Sequence, residues 1–376
     1  MSRNLITVSA LLATVSSAAL AGGIERNAPT TRILFEEGRY LEFSASSVNP
    51  TLSGSGGDAT AIGGPPNAAP NGTGDLLESY FTLGAGYKAD INENLSYAII
   101  IDEPHGVDTN YPTVAGSIYS GVVATLDARQ LSAILSYDVN DNVKVYGGLR
   151  AESVKAQADL PFIGAAAGGY SINASSDTSF GYMAGVAYSR PEIALRVALT
   201  YYSDIDHVLP TSETIPLLGT TNDTVDIKTP QSVNLEFQSG VAEDTLVFGS
   251  IRWVDWSEFA ITPTLYSSPG VTGRPLVDYE KDWTTYTLGV GRRFNDQWSG
   301  AFQISHEPAT DVLPLTTLGP VDGRTAYTLA GTYTMDKVKI TTGLSYVDLG
   351  GTANLVDTSF DGGDAIAIGV RVGYSF

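Results

Sequence analysis

Cysteine is absent from the 376 residues, which excludes disulfide bonds, thiolate metal sites and thiol nucleophiles. Basic residues are scarce: 21 Lys and Arg stand against 41 Asp and Glu, for a net charge of −20. Phosphate binding needs clustered cations, so a nucleic-acid partner is excluded too. There are only 3 histidines, His105, His207 and His306, and the strand pattern spreads them around the molecule where different strands enter outer loops. They are read as solvated loop residues. With no base beside a nucleophile, the chain is not expected to be an enzyme. The carboxylates collect in predicted loops without the spacing of an EF-hand or a nonapeptide calcium repeat, so no metal and no cofactor is expected. Beyond the N-terminal leader no run of about 18 apolar residues offers a spanning helix.

Alternation is what the chain has in abundance. Ile366, Ile368, Val370, Val372, Tyr374 and Phe376 are apolar and the residues between them small or polar, the period-two mark of a strand with one oily and one wet face. The pattern recurs along most of the chain. Six short polar turns, at 90–94, 140–142, 189–192, 240–244, 295–297 and 335–337, each join two such runs. Seven longer connections, rich in Gly, Pro, Asp and Thr, fall near 49–75, 106–120, 161–175, 207–223, 261–280, 308–322 and 349–363. Pairing the runs predicts an all-β chain, a transmembrane antiparallel β-barrel of about 14 strands with both termini on the short-turn side. A soluble two-sheet protein has no reason to alternate its connection lengths so regularly.

The N-terminus fits export. Arg3, the apolar stretch Leu5 to Leu20 and the small-x-small site Ala19-Leu20-Ala21 predict a signal peptide over 1–21,. A short plug-like segment, 22–37, then precedes a barrel over 38–376. The expected location is the bacterial outer membrane, termini in the periplasm, with the chain monomeric among outer-membrane lipid and lipopolysaccharide. Tyr374 and Phe376 supply the terminal aromatic signal for the barrel-assembly machinery.

Faces can be assigned strand by strand. Leu195, Val197 and Leu199 oppose Arg196, and Val338, Ile340 and Leu344 oppose Lys339; charge belongs on the lumen side, because Arg or Lys against lipid at the midplane costs about 2–4 kcal/mol. Tyrosines near strand ends, including Tyr87, Tyr97, Tyr137, Tyr188, Tyr333 and Tyr374, form an expected aromatic girdle. Pro104 interrupts the third strand after Asp102 and Glu103 and before His105. A missing N–H there either ends the strand or opens the wall.

Several segments together resemble the FadL/TodX family of outer-membrane transporters: Val48-Asn49-Pro50 through Gly54, Leu199 to Asp204, Thr229-Pro230-Gln231-Ser232, Trp253 to Phe259 with its Trp-Ser-x-Phe core, Lys281-Asp282-Trp283, and Glu307-Pro308. The resemblance covers most of the mature sequence. It implies a barrel occluded by an N-terminal hatch, with a long-chain fatty acid or other hydrophobic ligand captured outside. The ligand then leaves sideways by passive diffusion through a gap at a kink in the third strand, where Asp102, Glu103, Pro104 and His105 lie. The segment before the first strand is much shorter than the usual family hatch, and the family's Asn-Pro-Ala segment is absent.

An anionic amphiphile needs apolar wall for its tail and basic groups for its head. Lumen parity nominates Arg150, Arg252, Lys281 and Arg371, with Phe248, Val254 and Trp256 as wall; the resemblance also points to Lys281 and adds Lys155. Each cation has a structural alternative, pairing with Glu42, Glu152, Glu236 or Asp282. The rival function is a general diffusion porin for small polar solutes, which would show a charged constriction and an open polar lumen.

Overall fold

Alternating side chains sort to two faces, and the hydrogen-bond ladder closes on itself. A computed structural model describes residues 24–60, 65–310, 318–354 and 356–376; the expected signal peptide lies outside them. The strands are β1 (Tyr40–Gly56), β2 (Tyr80–Asp90), β3 (Leu95–Asp102, resuming at Gly106–Asn110), β4 (Val123–Asp138), β5 (Val143–Leu160), β6 (Tyr170–Arg190) and β7 (Leu195–Tyr202, resuming at Ile205–Ile215). They continue as β8 (Gly219–Thr229, resuming at Ser232–Ala242), β9 (Thr245–Val254), β10 (Trp283–Arg293), β11 (Trp298–Glu307), β12 (Arg324–Met335), β13 (Val338–Leu349) and β14 (Thr358–Ser375). Each pairs antiparallel with its neighbours, and β14 returns to β1 from Tyr40↔Ser375 to Gly56↔Thr358. The result is a closed barrel of 14 strands.

The two faces carry different chemistry. Outside, Phe43, Phe81, Leu135, Leu149, Phe180, Leu288, Leu329 and Ile368 are more than half exposed, a lipid-facing band. Inside, hydroxyls pair across strands, Ser46 with Thr82 at 2.7 Å, Ser96 with Ser136 at 2.8 Å and Thr328 with Ser345 at 2.6 Å, so the inner wall satisfies its own polar groups,. At the short-turn end Tyr87 meets Tyr97, Trp298 meets Tyr333 and Tyr374 meets Phe376, with ring centroids 6.1, 4.8 and 5.0 Å apart. The turns there share a device. Asn92, Asn140 and Asn295 each accept backbone N–H groups two and three residues on, the Asx bond that makes Asn a turn former.

One expected loop is strand. The connection placed near 207–223 is a continuous hairpin, paired from Ile205↔Thr229 to Ile215↔Gly219, so only 216–218 turn. Beyond the lipid band polar residues occupy both faces, and alternation loses its contrast while the backbone continues to pair.

Residues 24–39, before β1, run within the barrel. They include a 3-10 turn, Arg32–Phe35, whose Ile33 and Leu34 are buried beside Tyr146, Met183 and Tyr202. Each such side chain contributes about 1.5–3 kcal/mol by leaving water. Phe35 packs edge-on to Tyr146 and under the Arg196 guanidinium, and Lys339 reaches Glu36 at 3.3 Å. Arg196 and Lys339 thus face the lumen as their parity requires.

Candidate functional site: an apolar chamber above a broken strand

The outer halves of the strands turn small and branched aliphatic residues inward. Leu126 of β4, Ala158 of β5, Ile172 and Ala174 of β6, and Val225 and Ile227 of β8 enclose a chamber with a cavity volume of about 80 Å³. Ile24 and Leu77 close it from other sides, and Ile261, Leu276, Val277 and Tyr279 come from the connection between β9 and β10. Its largely apolar lining suits a small apolar ligand,. No Lys or Arg is among the described residues lining it, and its carboxylate, Asp108, is held by Arg26 at 2.5 Å. Below Tyr279 lies an aromatic cluster: Trp256 stands 5.6 Å from Tyr279, 5.5 Å from Phe259 and 5.8 Å from Trp283.

Lumen cations are committed to protein partners. Arg252 forks onto Glu25 and also donates to Ser232 at 3.0 Å and to Asn234. Arg32 binds Glu42, and Arg150 donates to Gln130 at 2.9 Å and to the Ser203 carbonyl at 3.0 Å. Burial alone would raise the Glu25 carboxyl, but the charge and hydrogen bonds of Arg252, with help from His105 and Arg324, outweigh it and hold the group below its ordinary value,. Arg252, Arg32 and Arg150 are therefore engaged by the protein before any ligand arrives.

β3 breaks at Glu103, Pro104 and His105. On β4 only Ala128 and Arg129 face these three residues, because the pairing ends at Asp102↔Gln130 and resumes at Gly106↔Asp127; the extra residue makes a bulge. The β2–β3 ladder stops at Ala85↔Ile101 and touches again only at Leu77↔Thr109. The freed edge of β3 is taken by the N-terminal segment. Arg26 and Asn27 donate to the Pro104 carbonyl at 2.8 and 3.2 Å, Gly106 donates to the Ile24 carbonyl at 2.8 Å, and the Asn27 side chain reaches the Glu103 carbonyl at 3.0 Å. Between the parted strands lies a cavity of about 80 Å³, lined by Asn27, Thr30 and Arg32 of the inner segment and also by Leu83, Ile101 and Val370 of the outer face.

The histidines depart from expectation. His306 stays exposed beside Thr325, but His105 and His207 are buried, at 6% and 0% exposure, and both approach Glu152 at 3.3 Å. His207 also bonds Asp177 at 3.2 Å, and the His105 ring stands edge-on to Trp256. The bulge in β3 carries His105 inward and the extended β7 carries His207 with it, so residues far apart in sequence meet under the chamber.

A family model described as outer membrane protein transport protein (OMPP1/FadL/TodX) matches residues 35–364. The chain belongs to the FadL/TodX family of outer-membrane transport proteins. Among solved structures, a FadL homologue of Pseudomonas aeruginosa superposes with a TM-score of 0.76 at 14% identity, covering 92% of each chain. The toluene transporters TodX of Pseudomonas putida and TbuX of Ralstonia pickettii give TM-scores of 0.62 and 0.61 at 13% and 14% identity, each covering 91% of this chain and 90% of its own. At such identities the likeness speaks for the fold. No curated protein sequence matches the chain significantly. As a member of this family the chain is an outer-membrane transporter of hydrophobic compounds and not an enzyme.

Within this FadL/TodX protein the sequence-derived residues divide. Phe248, Arg252 and Val254 share the inner face of β9 and are buried, as is Trp256 just beyond it. Arg150 faces inward with its guanidinium 5.4 Å from the Tyr202 ring, and Arg371 lies near Glu42 and Arg32 at the base of the lumen. Lys155 does not face the lumen: it projects from the outer face of β5, 64% exposed, 3.2 Å from Asp127. β6 bulges opposite it, with two residues, 175 and 176, against Lys155, while the inward row of β5 runs unbroken through Val154 and Ala156. Lys281 is exposed in the outer connection and donates to the Thr310 carbonyl at 3.1 Å. Asp102 accepts from Gln130 at 3.4 Å, and Glu103 lies 3.6 Å from Arg129 on the outer face. Glu25, Arg26 and Asp177 went unnoticed in the sequence; only their partners reveal them.

Proposed function

We propose that this protein admits hydrophobic molecules, long-chain fatty acids or other lipophiles, from the cell exterior into the apolar chamber. They leave by passive diffusion through the opening between β2 and β3 into the membrane. The observation that carries the reading is the pairing of a chamber free of lining cations among the described residues with a wall gap whose cavity is bordered by both inner and outer residues. Residues 24–39 act as a small hatch: they occupy the lumen, and through Arg26 and Asn27 they also hold the β3 kink inward. Because Arg26 already neutralises Asp108 and no lining cation is left over, a neutral lipophile, or an acid in its protonated form, fits the chamber better than a free carboxylate.

The test is direct. Purified protein should bind a radiolabelled hydrocarbon or fatty alcohol more tightly than the ionised fatty acid of equal length, and Ala174→Phe, which fills the chamber, should abolish binding without changing barrel mobility on gels. Uptake by cells should persist after collapse of the proton gradient. Equal binding by wild type and the filled variant would sink the chamber as the site. A large, steady ion conductance in the intact protein would favour the porin reading instead.

A further inference from the structure

The barrel wall has a second break. β6 and β7 pair at Ser171↔Thr214 through Ala174↔Thr211 and again at Met183↔Tyr202 through Arg190↔Leu195, with no ladder pairs between 175–182 and 203–210. Both strands change parity inside this stretch. On β6 the buried positions pass from Ile172 and Ala174 to Gly181 and Met183, and on β7 from Tyr202 to Ile205 and His207. Each strand therefore carries an irregularity within the unpaired stretch, β6 at the bulge of 175–176 against β5 and β7 at the break of 203–204. The β2–β3 gap has the same plan, a stretch without ladder pairs bounded by pairing above and below.

We propose that the β6–β7 seam is a second lateral exit, shut in this state by side chains in place of the missing ladder. Backbone groups left unpaired against lipid cost several kcal/mol each, so such a seam persists only if something else satisfies and covers it. Ser203 does part of this, accepting the Tyr182 N–H at 3.0 Å through its hydroxyl while its own N–H donates to the Tyr182 carbonyl at 3.0 Å. Ile205 fills the groove left by Gly181, where a Cβ would come within 2.7 Å of it. Asp177 and His207 latch the strands across the seam, and Glu152 ties that latch to His105 in the β3 kink. The same rows of the wall link both breaks: β5 pairs with β4 at Arg129↔Ser153 and with β6 at Ser153↔Thr178. Ile172 and Ala174, just above the seam, line the chamber, so a ligand there has two routes out of one compartment.

The inference rests on the lateral-release reading. A chain without native cysteine allows each break to be clamped by an engineered disulfide: Asp177→Cys with His207→Cys across the β6–β7 seam, and Leu83→Cys with Glu103→Cys across the β2–β3 gap. Uptake of a labelled lipophile is measured in cells, oxidised and after reduction, with heat-shifted gel mobility and surface labelling as folding controls. The expected result is partial, reductant-reversible loss with either clamp and complete loss only with both. Complete loss with the β2–β3 clamp alone, or full uptake with the β6–β7 clamp alone, overturns the second exit while leaving lateral release intact. Undiminished uptake with both clamps closed overturns lateral release itself and the second exit with it. Should Asp177→Cys/His207→Cys fail to assemble, Gly181→Cys with Ile205→Cys clamps the same seam without touching the polar latch, and the same outcomes apply.

Discussion

At the scale of single residues the Glu25–Arg252 fork is the most consequential contact, since it anchors the N-terminal segment to the wall. Arg252→Ala strands a buried carboxylate, and removing one member of such a pair costs about 3–5 kcal/mol. The segment should then leave the lumen for part of the time, and planar-bilayer recordings should change from little steady current to open-channel conductance. Glu25→Ala combined with Arg252→Ala should conduct less than Arg252→Ala alone, because no orphaned charge remains. The pH dependence follows from the depressed carboxyl. A group lowered from its unfolded value of 4.5 contributes its full share above that value and loses it only as pH falls through the lower folded value,. Conductance of the wild type should stay flat from neutral to mildly acid solution and rise only in stronger acid. A rise at pH 6 would place the anchor elsewhere.

At the scale of elements β3 decides the route. Replacing Glu103-Pro104-His105 with an alternating Val/Thr run supplies the missing N–H and removes the extra residue's reason to bulge. Uptake of a hydrophobic ligand should fall while surface expression and thermal mobility remain normal; unchanged uptake would mean that the β2–β3 opening is not the principal way out. The kink also shows what a sequence can disclose. Pro104 announces a broken ladder by its chemistry, and the faces of β9 and β14 follow from a period of two, so Phe248, Arg252 and Val254 could be placed inside without a structure. Glu25 and Asp177 could not, because their roles depend on partners 227 and 30 residues away, brought close by closure of the sheet. Lys155 was misplaced for a local reason: basic residues at a polar outer rim obey no lipid-facing penalty, so resemblance pointed inward where the pleat points out. The β7–β8 hairpin was hidden by the same loss of contrast.

At the scale of the whole molecule stability resides in a ladder with no free end, from β1 through β14 and back. Unheated protein in detergent should therefore migrate differently on gels from boiled protein, as a closed barrel keeps its shape until the ladder is broken. Deleting Phe376 removes its edge contact with Tyr374 and its backbone bond to Arg39, whose guanidinium lies 5.4 Å from the Phe376 ring, and should reduce the assembled fraction on such gels. Full assembly of the truncated chain would count against that role. The aromatic cluster beneath the chamber has a further use. Of the 4 tryptophans, Trp256 and Trp283 are buried against Tyr279, which lines the cavity, whereas Trp298 sits half-exposed in the girdle. The protein thus contains its own optical probes: emission from the inner pair should answer to cargo and that of Trp298 to the surrounding bilayer, so occupancy can be followed by light without attaching a label.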